Sequence, residues 1–266
     1  MNAALTAPLP IPPAGFTSRA GTLVLAGVSK RYAVDGRDLD VLADVDLSIA
    51  AGSFVSLVGP SGCGKSTILR LVVGLDADYQ GDILLDGQPI SGPGLERGIV
   101  FQEHRLMPWL TVEQNIALGL EATRLPARER AQLVAEHIEL VGLAGFERAY
   151  PSQLSGGMAQ RAAIARGLVN RPEMLLLDEP LGALDSLTRL KMQQELLRIQ
   201  RQEAITMVMV THDVEEAVYL SDRIVVLSPR PGRIRRIVDV DLPHPRDRVD
   251  GRFGAIRQRV LDQLEH

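Results

Sequence analysis

Apolar and polar positions alternate in short bursts over the first hundred residues, and then the period changes. Thr22-Leu-Val-Leu-Ala26 is a short β-rich run, and Val45, Leu47 and Ile49 alternate with Asp46 and Ser48. That period of two predicts a strand buried on one face. Ala51-Gly52 turns the chain into Ser53-Phe-Val-Ser-Leu-Val58, a strand that feeds a glycine-rich loop, and Ile68 to Leu75 read as the helix beyond it. Asp82-Ile-Leu-Leu-Asp86-Gly87 carries an Asp-Gly hairpin signal.

Residues 103–170 are helical in character. Ala131, Val134, Ile138 and Val141 recur at helical spacing among Arg, Gln and Glu, and Thr111-x-x-Gln114 is the pattern of a capping box. Met174 to Leu177 and Ile205 to Val210 are apolar runs too short for helices, and Ser186 to Gln202 between them is helical and polar-rich. Ile224-Val-Val-Leu227 predicts another strand, and the alternation from Arg233 to Val240 closes the sheet edge. Strands interleaved with helices indicate an α/β core. The expected organisation is a Pro-rich flexible lead over 1–20, one domain over 21–240 with a helical portion at about 103–170, and a polar tail with a terminal helix over 241–266.

Composition narrows the function. The 266 residues suffice for one domain with a subdomain. A net charge of −4 and 4% aromatics argue against a nucleic-acid partner, which needs clustered cations or stacking platforms. The single cysteine, Cys63, excludes an internal disulfide framework and fits a reducing compartment. The N-terminus has no basic start and no long apolar core, so a secretory signal is not expected, and no stretch is long enough to cross a bilayer. Any service to a membrane runs through a partner.

The glycine-rich loop carries the first chemistry. Gly59-Pro60-Ser61-Gly62-Cys63-Gly64-Lys65-Ser66-Thr67 fits G-x-x-x-x-G-K-[ST], after a strand and before a helix. Glycines let backbone N–H groups converge on phosphate oxygens, and the following helix adds its positive end. Lys65 supplies a mobile charge to the β- and γ-phosphates of ATP, and Ser66 offers a hydroxyl to Mg²⁺. Cys63 reads as a small residue filling a tight loop.

Met174-Leu-Leu-Leu-Asp178-Glu179-Pro180 ends a buried run in two carboxylates. Neighbouring side chains on a strand point opposite ways, so the two acids divide the work. Asp178 is assigned to the metal, and Glu179 to polarising the attacking water as general base. His212, in Val210-Thr-His-Asp213, again follows a buried strand, where parallel sheets place ligand-contacting residues. It is the one histidine with such a setting; His104, His137, His244 and His266 receive no role.

Leu154-Ser155-Gly156-Gly157-Met158-Ala159-Gln160-Arg161, together with the phosphate loop and the acid pair, resembles the ATP-binding cassette family, specifically its transporter ATPase subunits. The resemblance spans about residues 22–230, with several motifs in the family's order. It implies a P-loop NTPase core with an antiparallel β subdomain and an inserted helical subdomain. It also implies a head-to-tail homodimer in which Ser155 and Gly157, with Leu154, Gly156 and Gln160 around them, close over the γ-phosphate held by the partner. Tyr32 matches the aromatic that stacks on adenine. Gln102 matches the glutamine joining the metal site to the helical subdomain, and Asp185 the loop that communicates across the dimer. Gly182 stands where many relatives carry serine.

The segment Gln102 to Leu110 matches the docking region for membrane permease subunits. Trp109, the only tryptophan, either packs internally or anchors that partner. The Leu-Met-Pro-Trp run and Ser228-Pro-Arg-Pro-Gly-Arg233 look like the importer branch for nitrate, aliphatic sulfonates and taurine, and Phe101-Gln-Glu-His-Arg-Leu106 leans toward sulfonates. Such a subunit sits peripherally on the cytoplasmic face of the inner membrane and meets a periplasmic or extracellular binding protein only indirectly. Two other classes compete: a soluble cassette ATPase of repair or translation, and a P-loop small-molecule kinase. The former usually shows a coiled-coil insertion or two cassettes, and the latter lacks the Ser155–Arg161 run.

Overall fold

The computed structural model describes residues 20–34 and 36–265. The expected lead, apart from Ala20, and His266 lie outside the described residues.

Two sheets share the β content. A four-stranded antiparallel sheet has the order β2-β1-β4-β5, built from β1 (Leu23–Val34), β2 (Arg37–Ile49), β4 (Gln80–Leu85) and β5 (Gln88–Pro89). A six-stranded sheet has the order β10-β9-β3-β8-β7-β6, built from β3 (Phe54–Val58), β6 (Arg97–Val100), β7 (Met174–Asp178), β8 (Thr206–Val210), β9 (Arg223–Leu227) and β10 (Ile234–Asp239). Five of these strands run parallel, and β10 pairs antiparallel at the edge, as its alternation predicts.

The parallel strands are buried on both faces, which explains their continuous apolar runs. Along β7, Leu175 and Leu177 enter one apolar cluster and Met174 and Leu176 the other; β8 and β9 divide in the same way. One cluster packs helices α2 (Val112–Ala117), α3 (Ala127–Leu140), α4 (Gly156–Leu168), α5 (Ser186–Glu203), α6 (Val214–Leu220) and α7 (Gly251–Glu265) against the sheet. The other fills the space between the sheet, α1 (Lys65–Val73) and the antiparallel sheet.

Several boundaries differ from the sequence reading. β1 runs twelve residues rather than the five of Thr22–Ala26, because it hydrogen-bonds to β2 on one side and β4 on the other. Those two neighbours hold the polar stretch Ser29-Lys30-Arg31 extended. Helix α1 begins at Lys65 instead of Ile68 and ends before Gly74, whose left-handed backbone turns its N–H onto Arg70 O and Leu71 O. The Asp86-Gly87 hairpin is present with positive φ at both residues, 48° and 75°, as a primed turn requires. The Thr111 capping box is formed in both directions, at 2.9 and 3.3 Å. In the polar tail, α7 buries Phe253, Ile256 and Val260 against the main cluster.

No helix among the described residues is long and apolar enough to cross a membrane.

Candidate nucleotide site

The parallel register sets the site. Leu57 pairs with Val210, Val210 with Asp178, and Leu177 with Val100. The carboxyl ends of β3, β8, β7 and β6 are therefore level. The residues that follow them stand in a row on one edge: Gly59, Thr211-His212, Asp178-Glu179 and Phe101-Gln102. Open parallel sheets bind ligands along such an edge.

The phosphate loop curls from β3 into α1. Gly64 caps the helix with φ 99°, a backbone that an L side chain would strain. Lys65 is largely buried and its ammonium donates to Gly59 O at 2.7 Å and Pro60 O at 3.0 Å. Cys63 is fully buried with Sγ 3.9 Å from Lys65 Nζ, in keeping with a packing role. Arg230, from the Ser228–Arg233 turn, donates to Gly62 O at 3.2 Å on the rim of the loop.

Ser66 and Asp178 meet: Ser66 Oγ donates to Asp178 Oδ1 at 2.9 Å. Burial pushes the Asp178 carboxyl up from the ordinary range; the Ser66 bond opposes this and the neighbouring Glu179 charge adds to it. Among the described residues no three His, Cys, Asp or Glu side chains gather as a metal cluster. A hydroxyl beside a single carboxylate is an oxygen-only donor set, and it fits a magnesium ion that takes its other ligands from phosphates and water.

Glu179 and His212 also meet. His212 Nδ1 lies 2.9 Å from Glu179 Oε2, and Glu179 adopts φ 46°, the left-handed region that non-glycine residues rarely occupy. This kink lets Glu179 leave the strand and face the histidine. Gln102 and Glu179 both border Gly182: a Cβ placed there would sit 3.7 Å from the Gln102 amide nitrogen and 3.8 Å from Glu179 Oε2. A Cβ at position 182 would therefore meet only ordinary van der Waals contacts.

The Ser155 turn lies elsewhere. Ser155 caps α4, accepting from Met158 N at 3.3 Å, and Gly157 approaches Thr188 so closely that a Cβ would stand 2.5 Å from its methyl. Asp185 caps the neighbouring α5, accepting from Leu187 and Thr188 N–H groups, and the Thr188 bonds hold its carboxyl low. Leu154 packs against the helical cluster, and Gln160 is buried with its Nε2 unpartnered among the described residues. Among the described residues, the hydrogen bonds and close approaches of Ser155 and Gly157 are thus with α4 and α5, and none is with the Lys65 loop.

Tyr32 stands on β1 with its hydroxyl donating to Asp76 Oδ2 at 2.8 Å and the Lys30 ammonium 4.5 Å from its ring centroid. Lys30, 3% exposed, is paired with Asp76 at 2.9 Å. The ring is thus clamped from its hydroxyl end and covered on one face.

Sequence reasoning left Trp109 open; it is 70% exposed. Buried Asn115 fixes the loop that carries it, donating to the carbonyls of Met107, Leu110 and Thr111 and accepting from Met107 N. Sequence reasoning missed Arg166 of α4, which donates to His104 O and Arg105 O, both at 2.9 Å, and so ties the segment after Gln102 to the helical side. A lone arginine in an apolar helix face is the only signal it gives.

Known proteins share the family and the fold. The model of the ABC transporter family matches residues 42–182. An aliphatic sulfonates import ATP-binding protein of Bacillus cereus is 47% identical, covering 92% of this chain and 96% of the relative. Its counterpart in Bacillus subtilis is 50% identical over 89% and 91%. A dimeric ATP-binding cassette solved in a post-hydrolysis state with ADP and Pi aligns at TM-score 0.72 and 33% identity, covering 83% of this chain and all of that one. With a phosphate loop, an acid pair and a histidine converging on one sheet edge, and relatives this similar along nearly the whole length, the chain belongs to the ABC transporter family.

Proposed function

We propose that this chain is the ATP-hydrolysing subunit of an importer, working as a head-to-tail homodimer that drives uptake of aliphatic sulfonates. The observation that carries the reading is the divided site. Lys65, Ser66, Asp178, Glu179 and His212 gather on one edge, whereas the Ser155 turn makes no contact with them. A second copy placed head to tail would bring its Ser155 turn to this Lys65 loop.

Each residue then has a task. Lys65 grips the β- and γ-phosphates and Tyr32 stacks on adenine. Ser66, Asp178 and Gln102 would hold a magnesium ion, which would supply charge neutralisation to the phosphates. Glu179 takes a proton from the attacking water, and His212 holds Glu179 and the γ-phosphate in line. Ser155, Gly156 and Gly157 cap the γ-phosphate of the partner's nucleotide with backbone N–H groups and a helix end. ATP joins the two copies, and cleavage of the shared phosphate parts them, a population shift bounded by the differential affinity of ATP for the closed state.

The exposed Trp109 and Met107, on the loop pinned by Asn115, are the anchor for the permease. The subunit works on the cytoplasmic face of the membrane, with a substrate-binding protein on the far side. The core spans 21–240 with its helical subdomain near 103–170, followed by the 241–266 tail. Sulfonate is chosen over nitrate or taurine because the relatives named above carry that name at 47–50% identity. Uptake of an alkanesulfonate, taurine and nitrate by a deletion strain tests it. Loss of sulfonate uptake alone supports the assignment, and unaltered sulfonate uptake overturns it.

A further inference from the structure

Between the Asp185 loop and the His212 turn lies a buried carboxylate that the proposed chemistry does not use. Glu216, on α6, is 5% exposed. Its Oε2 accepts from Thr211 Oγ1 at 2.9 Å, and Thr211 Oγ1 accepts in turn from Asp213 N at 3.0 Å. These bonds brace the turn whose middle residue is His212. A buried carboxylate needs a cation or hydrogen bonds to stay charged. The cation is Arg189 from the first turn of α5, with Nε 3.6 Å from Glu216 Oε1 and Nη1 3.9 Å from Asp213 Oδ2.

The other end of the same guanidinium faces the Asp185 loop: Arg189 Nη2 donates to Leu184 O at 3.1 Å. The contacts close into a ring. Glu179 O accepts from Gly182 N at 3.2 Å, which folds residues 179–182 toward Leu184 and Asp185. Arg189 carries the connection from Leu184 to Glu216 and Asp213. The His212 turn returns it to Glu179 through the 2.9 Å His212–Glu179 contact. Arg189 Nε is buried and has no hydrogen-bond acceptor among the described residues, so the ring is joined by charge on that side.

We propose that Arg189 is a positioning residue that locks the Asp185 loop to the His212 turn, so that engagement of Asp185 by a second copy fixes the Glu179–His212 pair of the first. This rests on the proposed dimer and on the assigned role of Asp185. The contacts of Arg189 are with Leu184 O, Asp213 and Glu216, and it acts through them. Its planar fork suits the task, because one rigid group meets a carbonyl and two carboxylates in different directions.

The test uses the full chain in three forms. Arg189→Met keeps the aliphatic stem and removes charge and donors. Arg189→Lys keeps a charge beside Glu216 without the fork. Glu216→Gln removes the buried charge. ATP affinity is measured on dilute monomer, kcat on the dimer, and ATP-driven association in a Glu179→Gln background where cleavage is off. Arg189→Met is expected to lower kcat and to weaken ATP-driven association about tenfold each, with monomer affinity within about twofold of the parent. Arg189→Lys recovers part of both, and adding Glu216→Gln to Arg189→Met costs little more, since the ring is already open.

Equal kcat and equal association in Arg189→Met, with the Glu179→Gln parent associating normally, overturns the inference and leaves the dimer reading intact. A parent that fails to associate with ATP overturns both. Should Arg189→Met fail to fold, Arg189→Lys and Glu216→Gln decide alone: a kcat matching the parent in both overturns the inference.

Discussion

Ser66 Oγ donates to Oδ1 of Asp178 at 2.9 Å, across 112 positions of sequence. The first turn of α1 is thereby joined to the end of β7, and a hydroxyl and a carboxylate share one small volume beside the phosphate loop. Asp178→Asn keeps the shape and removes the charge. We expect the magnesium concentration for half-maximal ATPase to rise about 10- to 100-fold, with ATP binding measured in the absence of magnesium unchanged. An unshifted magnesium curve would remove Asp178 from the metal site.

Glu179→Gln tests the proton acceptor. The kinked backbone at Glu179 and the His212 contact remain available to an amide, so ATP should still bind. Turnover should fall by about 10²- to 10⁴-fold and the ATP-bound dimer should persist on a sizing column. Near-parental turnover would place the base elsewhere.

Ser155→Arg tests completion in trans. The side chain projects from the N-terminus of α4, where an added cation replaces the cap for a phosphate. Monomer ATP affinity is expected to stay within about twofold, because the phosphate loop is intact, while turnover is lost with the capping donors. Mixing this variant with Lys65→Ala subunits should restore a fraction of turnover, since one intact site can form in the mixed dimer. Absence of any recovery would count against the trans geometry.

His244 gives a pH signature. Burial, and then the charges of Arg246 and Arg201, push it down to about 4. The folded protein holds it neutral, whereas the unfolded chain protonates it near the ordinary value of about 6.5. Its share of stability is therefore whole above that value and is lost as pH falls toward 4. The loss is at most about 3 kcal/mol, less to the extent that solvent reaches the ring. In denaturant titrations, the difference between the parent and His244→Asn should change between pH 6.5 and 4 and stay flat from 7 to 8.

What the sequence disclosed, and what it hid, follows from where each signal sits. Lys65, Asp178 and His212 were legible because each follows an apolar run that ends at the same sheet edge. Ser155 and Asp185 were legible through the motifs that carry the family resemblance, and the structure adds that each caps a helix. The full length of β1 was hidden, because Lys30 and Arg31 read as a break in the apolar pattern. Each is paired across a turn or further: Lys30 with Asp76, and Arg31 with Asp38 and Asp40 on β2. Arg166, Arg189 and Glu216 were hidden for the same reason, since a charged residue announces no partner 5 to 62 positions away. In α7 the spacing of Phe253, Ile256 and Val260 was visible, but the polar residues before it disguised how firmly it docks.

That docking bears on where the catalytic unit ends. Arg246 is buried, and its guanidinium reaches the carbonyls of Val218, Tyr219 and Ser221 at the close of α6 and those of Val240 and Leu242 in its own segment. A fragment stopped at residue 240 would strand the α6 carbonyls without their donor, on the short helix that directly follows the His212 turn. A minimal hydrolase cut from this chain must keep Arg246, because the segment after β10 is part of the framework on which the histidine is mounted.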